Sequence, residues 1–345
     1  MGRTTYIFGA GASFHAGYPF VRTMGDQLLE WMRRQSPCGL FDFANSATFL
    51  KQRFGNDIED LFAGVQKEID AQRPGYSIYA NVHKPCLVEG MRQWFASIHR
   101  TAPAIAYELF ASRVVKPGDR IVTFNYDIAL DSKLRKTSEW SVGDGYGFTA
   151  DGLPTGSTVK IFKLHGSINW FAVLFGGLTS GPMAFTPSAA MGHRPVFTDA
   201  DLTALGYPTH IQDLAFPRAG AAAIQPLILP TSRKRFYFQS NFGREWQPFW
   251  DKLWRAARRA VRTSDRVVIC GYGMYPIDRR GCNLLLSGKI SGQIEVCSGD
   301  DSGRIVKQLR DQGRDAQVAD QVLFQNWVGS HAAGGEFTLT GCPRS

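Results

Sequence analysis

Four short stretches of the chain set chemically capable side chains beside backbone that a ligand can approach closely. Gly9-Ala10-Gly11-Ala12-Ser13 follows the apolar run Tyr6-Ile7-Phe8, as when a buried strand passes into a helix whose first N–H groups face a phosphate. This is the first half of a dinucleotide-binding fingerprint. Phe14 stands where the third glycine belongs, and Asp26 and Glu30 fall in a helical pattern rather than at the tip of a second strand. In Phe124-Asn125-Tyr126-Asp127, Asn125 offers a donor and an acceptor without carrying charge. Asp127 either projects to the same side, two residues on, or caps the helix that follows. In KLHGSINW (163–170), His165 stands beside Gly166 at the end of another apolar run, and an imidazole exchanges a proton near neutrality; a buried structural histidine is the competing reading. GYGMYPID (271–278) opens on Gly271, Tyr272 and Gly273 and closes on Asp278, and Ser298 and Asp300 end a last stretch of the same form.

Each stretch needs an element to hold it. TYIF, RIVTFNYD (120–127), VKIFKLHGSINWF (159–171, with His165-Gly166-Ser167 at the end of its apolar run), RVVICGYG (266–273) and QIEVCSGD (293–300) read as buried strands with polar residues at their C-terminal ends, where open parallel sheets bind ligands. PLILP (226–230), ending in Thr231 and Ser232, reads as one more strand. VRTMGDQLLEWMRR (21–34) has helical periodicity through Met24, Leu28, Leu29 and Met32, and NDIEDLFAGVQKEID (56–70) starts from an Asn or Asp cap. Helical patterns continue to about Lys116. The tryptophan-rich stretch 243–261 has the spacing of a core-facing helix, and GRIVKQLRDQG (303–313) closes the series. Strands alternating with helices give the fold class: a doubly wound, Rossmann-like α/β parallel sheet, with an inserted helical module at about 21–116 and a loop-rich insertion at about 172–224.

Composition agrees with a large globular core: 345 residues, 44% hydrophobic. The balance of 39 Lys and Arg against 30 Asp and Glu gives a net charge of +9, in short dispersed clusters such as Arg255-Arg258-Arg259 and Arg279-Arg280. Such a surface favours anionic ligands in general and leaves a nucleic-acid partner open. None of the six cysteines forms a CxxC pair, so no local zinc knuckle or redox motif is expected. The first strand begins within a few residues of Met1, and no apolar run approaches the ~20 residues of a membrane helix; a cytoplasmic protein without a membrane partner is expected.

The ordered set GAGAS with Gly17-Tyr18-Pro19, FNYD, KLHGSINW and GYGMYPID resembles the sirtuin superfamily. It is similar in particular to the sirtuin-like branch of prokaryotic antiviral defence, whose members hydrolyse NAD. The resemblance implies one NAD-binding catalytic domain over about 1–330 and a tail at 331–345. It implies NAD as substrate, with His165 as general base acting on a ribose hydroxyl or through water, and Asn125 holding water and ribose against the reacting carbon. Gly9, Ala10, Gly11, Ala12 and Ser13 would face the pyrophosphate, Asp127 the nicotinamide carboxamide, Gly271, Tyr272 and Gly273 the adenosine side, and Ser298 and Asp300 the adenine ribose; Asp278 matches an acid of the defence branch. His15, Thr231 and Ser232 are further candidates near the ligand.

Two departures narrow the reading. Deacylating sirtuins carry zinc-binding CxxC pairs, which this chain lacks, so no metal is expected and a small-molecule reaction is favoured. Where those proteins continue GIPDFR, this chain has Gly17-Tyr18-Pro19-Phe20-Val21-Arg22. The leading expectation is an NAD glycohydrolase, gated as a homo-oligomer or by a defence partner such as a HerA-type ATPase. An NAD-dependent protein deacylase and a nucleotide-sensing subunit of a defence complex are the alternatives.

Overall fold

The computed structural model describes residues 2–37, 41–72, 74–148, 155–175, 197–198, 222–228 and 247–332. Six strands form one parallel sheet: β1 (Thr4–Phe8), β2 (Arg120–Thr123), β3 (Lys160–Lys163), β7 (Arg266–Cys270), β8 (Gln293–Cys297) and β9 (Ala316–Val318), in the order β3-β2-β1-β7-β8-β9. Counted within the sheet this is 3-2-1-4-5-6, the doubly wound order, whose direction reverses between β1 and β7. The sequence implied this class, and the strand order shows it.

The strands are short, apolar runs, as expected of a sheet covered on both faces: Ile7, Phe8, Ile121, Val122, Ile161, Val267, Val268, Ile269, Ile294 and Val296 are all fully enclosed. Between β1 and β2 the chain is helical. In α2 (Val21–Arg33), Met24, Leu28, Leu29 and Met32 fill one buried stripe. The helix Ile58–Ala71 starts at Asp57, whose carboxylate accepts from the N–H groups of Glu59 and Asp60. A long helix, α6 (Lys84–Thr101), and a short one, α7 (Ile105–Leu109), lead back to the sheet. The C-terminal helix Phe324–Ala332 closes one face, with Phe324 and Trp327 packed edge-on against Phe8 and Tyr6.

Three local expectations are corrected. RIVTFNYD is a strand only to Thr123; Phe124 keeps one ladder bond, to Phe8 O, and Asn125–Asp127 continue outside the strand. KLHGSINW is not one strand with a polar tip: the chain turns at Leu164–His165, and β4 (Gly166–Phe175) starts a separate antiparallel sheet, ordered β5-β4-β6, with β5 (Phe197–Thr198) and β6 (Ala222–Ile228). The PLILP segment therefore contributes to this second sheet through β6, antiparallel to β4, and not to the doubly wound one. A further parallel strand, β9, lies beyond the stretch read as the last. Most of 172–224, Thr231, Ser232 and the tail from 333 lie outside the described residues.

Candidate active site at the C-terminal edge of the sheet

Register places the motifs. Phe8 pairs with Thr123 and with Cys270, Thr123 with Lys163, and Cys270 with Cys297. One residue further on, Gly9, Phe124, Leu164, Gly271 and Ser298 stand in a row along the C-terminal edge. Main-chain bonds carry the ladder into that row: Phe124 N–H donates to Phe8, Gly9 to Cys270, Leu164 to Thr123 and Gly271 to Cys297. The next residues are Ala10, Asn125, His165, Tyr272 and Gly299. Asn125 and His165, forty residues apart in sequence, thus leave neighbouring strands at equal height.

At the reversal point the β1 and β7 turns meet backbone to backbone. Gly271 has φ +60, and a Cβ there would lie 2.1 Å from the Ala12 nitrogen; a Cβ on Gly9 would lie 2.5 Å from the Tyr272 Cα. Glycine is required at Gly271 on both counts. This close approach uses up donors expected to face a phosphate: Gly9 N–H donates to Cys270 O, Gly11 N–H to Gly271 O (3.0 Å) and Ala12 N–H to Gly9 O.

Asn125 is half-buried beside this turn. Its Nδ2 donates to Gly9 O (3.0 Å) and to Ser13 Oγ (2.9 Å), which leaves Oδ1 as the end that accepts from a water or hydroxyl. Ser13 donates to Asp127 Oδ2 (2.7 Å) and therefore accepts from Tyr107 OH (2.8 Å). Its single proton is committed, so the Ser13 hydroxyl supports Asn125. Burial keeps the Tyr107 phenol far above its ordinary range, a donor at any physiological pH. Asp127 is buried, with Oδ1 accepting from Ala129 N–H at the start of α8 (Ala129–Leu134). Burial raises its carboxyl above the usual range, and the strongest opposing influence is the Lys163 ammonium.

His165 is also buried, its ring 5.0 Å from that of Phe124. Its Nε2 lies 3.6 Å from Asp278 Oδ2, where a proton taken up by the imidazole meets a carboxylate. Asp278 accepts at Oδ2 from Tyr272 OH (2.9 Å) and at Oδ1 from Gly281 N–H, capping the helix Arg279–Leu286. The Tyr272 ring stacks on Phe124 at 4.2 Å, and burial with the neighbouring Asp278 charge keeps its phenol protonated. Asp278, held by Tyr272, thus faces the imidazole. Ser298, expected at the adenine ribose, follows β8 in the same row and donates from Oγ to Tyr272 O at 3.4 Å.

His15 lies in the turn beside Tyr107, with Nδ1 bonded to Ala12 O (2.8 Å) and its pKa lowered to about 4 by burial. Phe124, Tyr107, Lys163 and Asp131 belong to the site and were not singled out from sequence. For Lys163 a signal existed: a lysine between Phe162 and Leu164 in a buried strand needs an acid. Among the described residues no group of three or more His, Cys, Asp or Glu side chains is arranged to hold a metal ion, and no helix is long and apolar enough to cross a membrane.

No family model and no curated protein matches the chain. Solved structures of Sir2 proteins align with it. Sir2Tm bound to a propionylated peptide gives a TM-score of 0.42 at 14% identity, covering 96% of this chain and 93% of that one. A Sir2 homologue in complex with NAD gives 0.43 at 14% identity, covering 96% and 90%. A structure addressing sirtuin substrate affinity gives 0.41 at 15%, covering 94% and 92%. Likeness of this depth carries no argument about activity, and the architecture rests on the strand order itself.

Proposed function

We propose that the chain is an NAD glycohydrolase: NAD and water give nicotinamide, ADP-ribose and a proton. The observation that carries the reading is that Asn125 and His165 emerge at one height from adjacent strands, beside the tight β1–β7 turn at the reversal point of the sheet.

The bond to be broken joins ribose to a cationic leaving group, so its cleavage needs position more than covalent help. In this reading Asn125 Oδ1 accepts from the attacking water or a ribose hydroxyl and fixes it against the anomeric carbon. His165 takes the proton as the new C–O bond forms. Asp278, 3.6 Å away, stabilises the resulting imidazolium, and Tyr272 holds Asp278 in place. Water supplies the oxygen and nicotinamide leaves with the glycosidic electron pair, so no acylated peptide enters the balance.

The sequence resemblance, rather than the geometry, supports a role in antiviral defence, a cytoplasmic setting, and gating by self-assembly or a HerA-type partner. Mass spectrometry of NAD turnover tests the reaction. Wild type, at a concentration that lets it self-assemble and incubated with NAD without any acylated peptide, is expected to release nicotinamide and ADP-ribose. Asn125→Ala and His165→Ala should each lose about 10²–10⁴-fold in kcat while remaining folded by circular dichroism. Turnover that appears only when an acylated peptide is added replaces the glycohydrolase by a deacylase. His165→Ala at the wild-type rate removes the mechanism.

A further inference from the structure

Beneath the site lies a cation that the chemistry above does not use. Lys163, the last residue of β3, is 1% exposed. Its Nζ donates to the main-chain oxygen of Asp127 and stands 3.2 Å from both carboxylate oxygens of Asp131 on α8. These acceptors match the three N–H bonds of an ammonium. Asp131 in turn accepts from Tyr146 OH (2.6 Å), which accepts from Asn169 Nδ2 (2.9 Å), and Asn169 Oδ1 accepts from Ser167 Oγ (2.6 Å). The chain of bonds runs from the FNYD segment through β3 and α8 to the start of β4.

Burying a lysine costs several kcal/mol, and an apolar side chain of similar size commonly serves a fold as well or better. A cation at this point therefore needs another reason, and its partners supply one. It grips the backbone between Asn125 and α8, and its charge faces the Asp127 carboxylate. That carboxylate accepts the Ser13 proton, which turns the Ser13 lone pairs toward Asn125 Nδ2.

We infer that Lys163 is a positioning residue of the site: through Asp127 and Ser13 it sets the Asn125 amide, and through β3 it sets His165 two residues on, so that one buried ammonium aligns both. The inference rests on the glycohydrolase reading for its rate effects. Asp127 is faced by Lys163 from β3, Asp131 from α8, the phenols of Tyr107 on α7 and Tyr18, and His99 near the end of α6. Of these, Lys163 most strongly favours its ionised form. Without Lys163, a carboxyl already raised by burial rises further, Asp127 is neutral to a higher pH, and its hold on the Ser13 proton weakens.

The test is Lys163→Met in the full chain, with kcat, KM and the pH profile of NAD turnover. We expect kcat to fall about 100-fold with little change in KM, and the acid limb of kcat to move up by about one pH unit or more. Lys163→Arg, which keeps the charge, should hold the limb at its wild-type position. If Lys163→Met does not fold, Lys163→Gln, which removes the charge while leaving an amide donor for the Asp127 main-chain oxygen, is read in the same way. A wild-type rate and limb, or a reduced rate with an unmoved limb, overturns the positioning role and leaves the glycohydrolase standing. Absence of turnover in self-assembled wild type overturns the glycohydrolase instead. Hydrogen exchange at residues 124–127 then decides for Lys163: faster exchange in Lys163→Met supports the role, and unchanged exchange overturns it.

Discussion

The two ends of the parallel sheet handle buried polar groups differently. At the N-terminal end each group closes a local account. Asp119 accepts from the main-chain N–H groups of Thr4 (2.9 Å) and Lys116 (3.0 Å), Asp265 from that of Arg3, and Thr5 Oγ1 bonds Ser264 Oγ. At the C-terminal end the bonds run on, from Asn125 through Ser13, Asp127, Lys163, Asp131, Tyr146 and Asn169 to Ser167. Asp119 and Asp127 show the contrast in two residues. Burial raises both carboxyls, but two main-chain donors answer the first, whereas the second has one, Ala129 N–H, joined by the Ser13 hydroxyl and the nearby Lys163 charge. Backbone donors are the same whatever the sequence, whereas side-chain donors are matters of residue choice, so chemistry can be tuned at one end only.

Matched substitutions sharpen the comparison, and the largest effect is expected from a pair of glycines. Gly271→Ala puts a Cβ 2.1 Å from the Ala12 nitrogen at φ +60, whereas Gly118→Ala, at the opposite end with φ +95, meets nothing within 4 Å. Denaturant unfolding should show a loss of more than ~3 kcal/mol for Gly271→Ala and about 1 kcal/mol for Gly118→Ala. NAD turnover should disappear only in the first. Equal losses would mean that the β1–β7 contact is not special. Next, Asp119→Ala orphans two main-chain donors and should cost about 1–3 kcal/mol in a urea titration, with kcat untouched; a change in kcat would break the division between the ends.

The smallest effect is a pH dependence. His15 is held neutral, with a pKa of about 4 against an ordinary 6.5, so the unfolded chain binds more protons between those values. Its contribution is complete above pH 6.5 and is lost as pH falls toward 4, on the order of 1–2 kcal/mol by pH 5. His15→Asn, whose amide can still donate to Ala12 O, should flatten that part of a stability–pH curve measured by chemical denaturation. An unaltered slope assigns the acid sensitivity elsewhere.

Sequence pattern was a good guide to what each strand is and a poor one to what happens just past its end. The apolar runs at 4–8, 266–270 and 293–297 and the stripe of α2 are periodic signals, and the structure has them where periodicity puts them. FNYD reads as strand because Phe124 and Tyr126 are apolar; in the fold, past the end of β2, the Phe124 ring stacks on Tyr272 and the Tyr126 ring lies tilted 6.1 Å from His165. VKIFKLHGSINWF holds two strands of different sheets parted by two residues, and nothing in an unbroken apolar run says where one sheet stops. PLILP misled in the same way: its Pro226 pairs with Phe171 at a shift in register, the kind of place where a strand tolerates proline. The glycine, amide and imidazole motifs were visible because their residue types are unusual in a core. Ser13 as a support for Asn125, and Lys163 beneath both, depend on contacts between segments more than a hundred or about thirty residues apart, which no local window contains.

Because successive residues of a strand alternate in direction, the lateral pairing of β1, β2, β3 and β7 works as a shared phase. The chain runs through 111 residues between Phe8 and Arg120, and lengthening or trimming the connections there leaves the phase unchanged. Removing one residue from Ile121–Thr123 would slip every later position by a step and bring Tyr126 to the place of Asn125. The span of the loops is thus a free variable in this protein, whereas the parity of three residues in β2 is not.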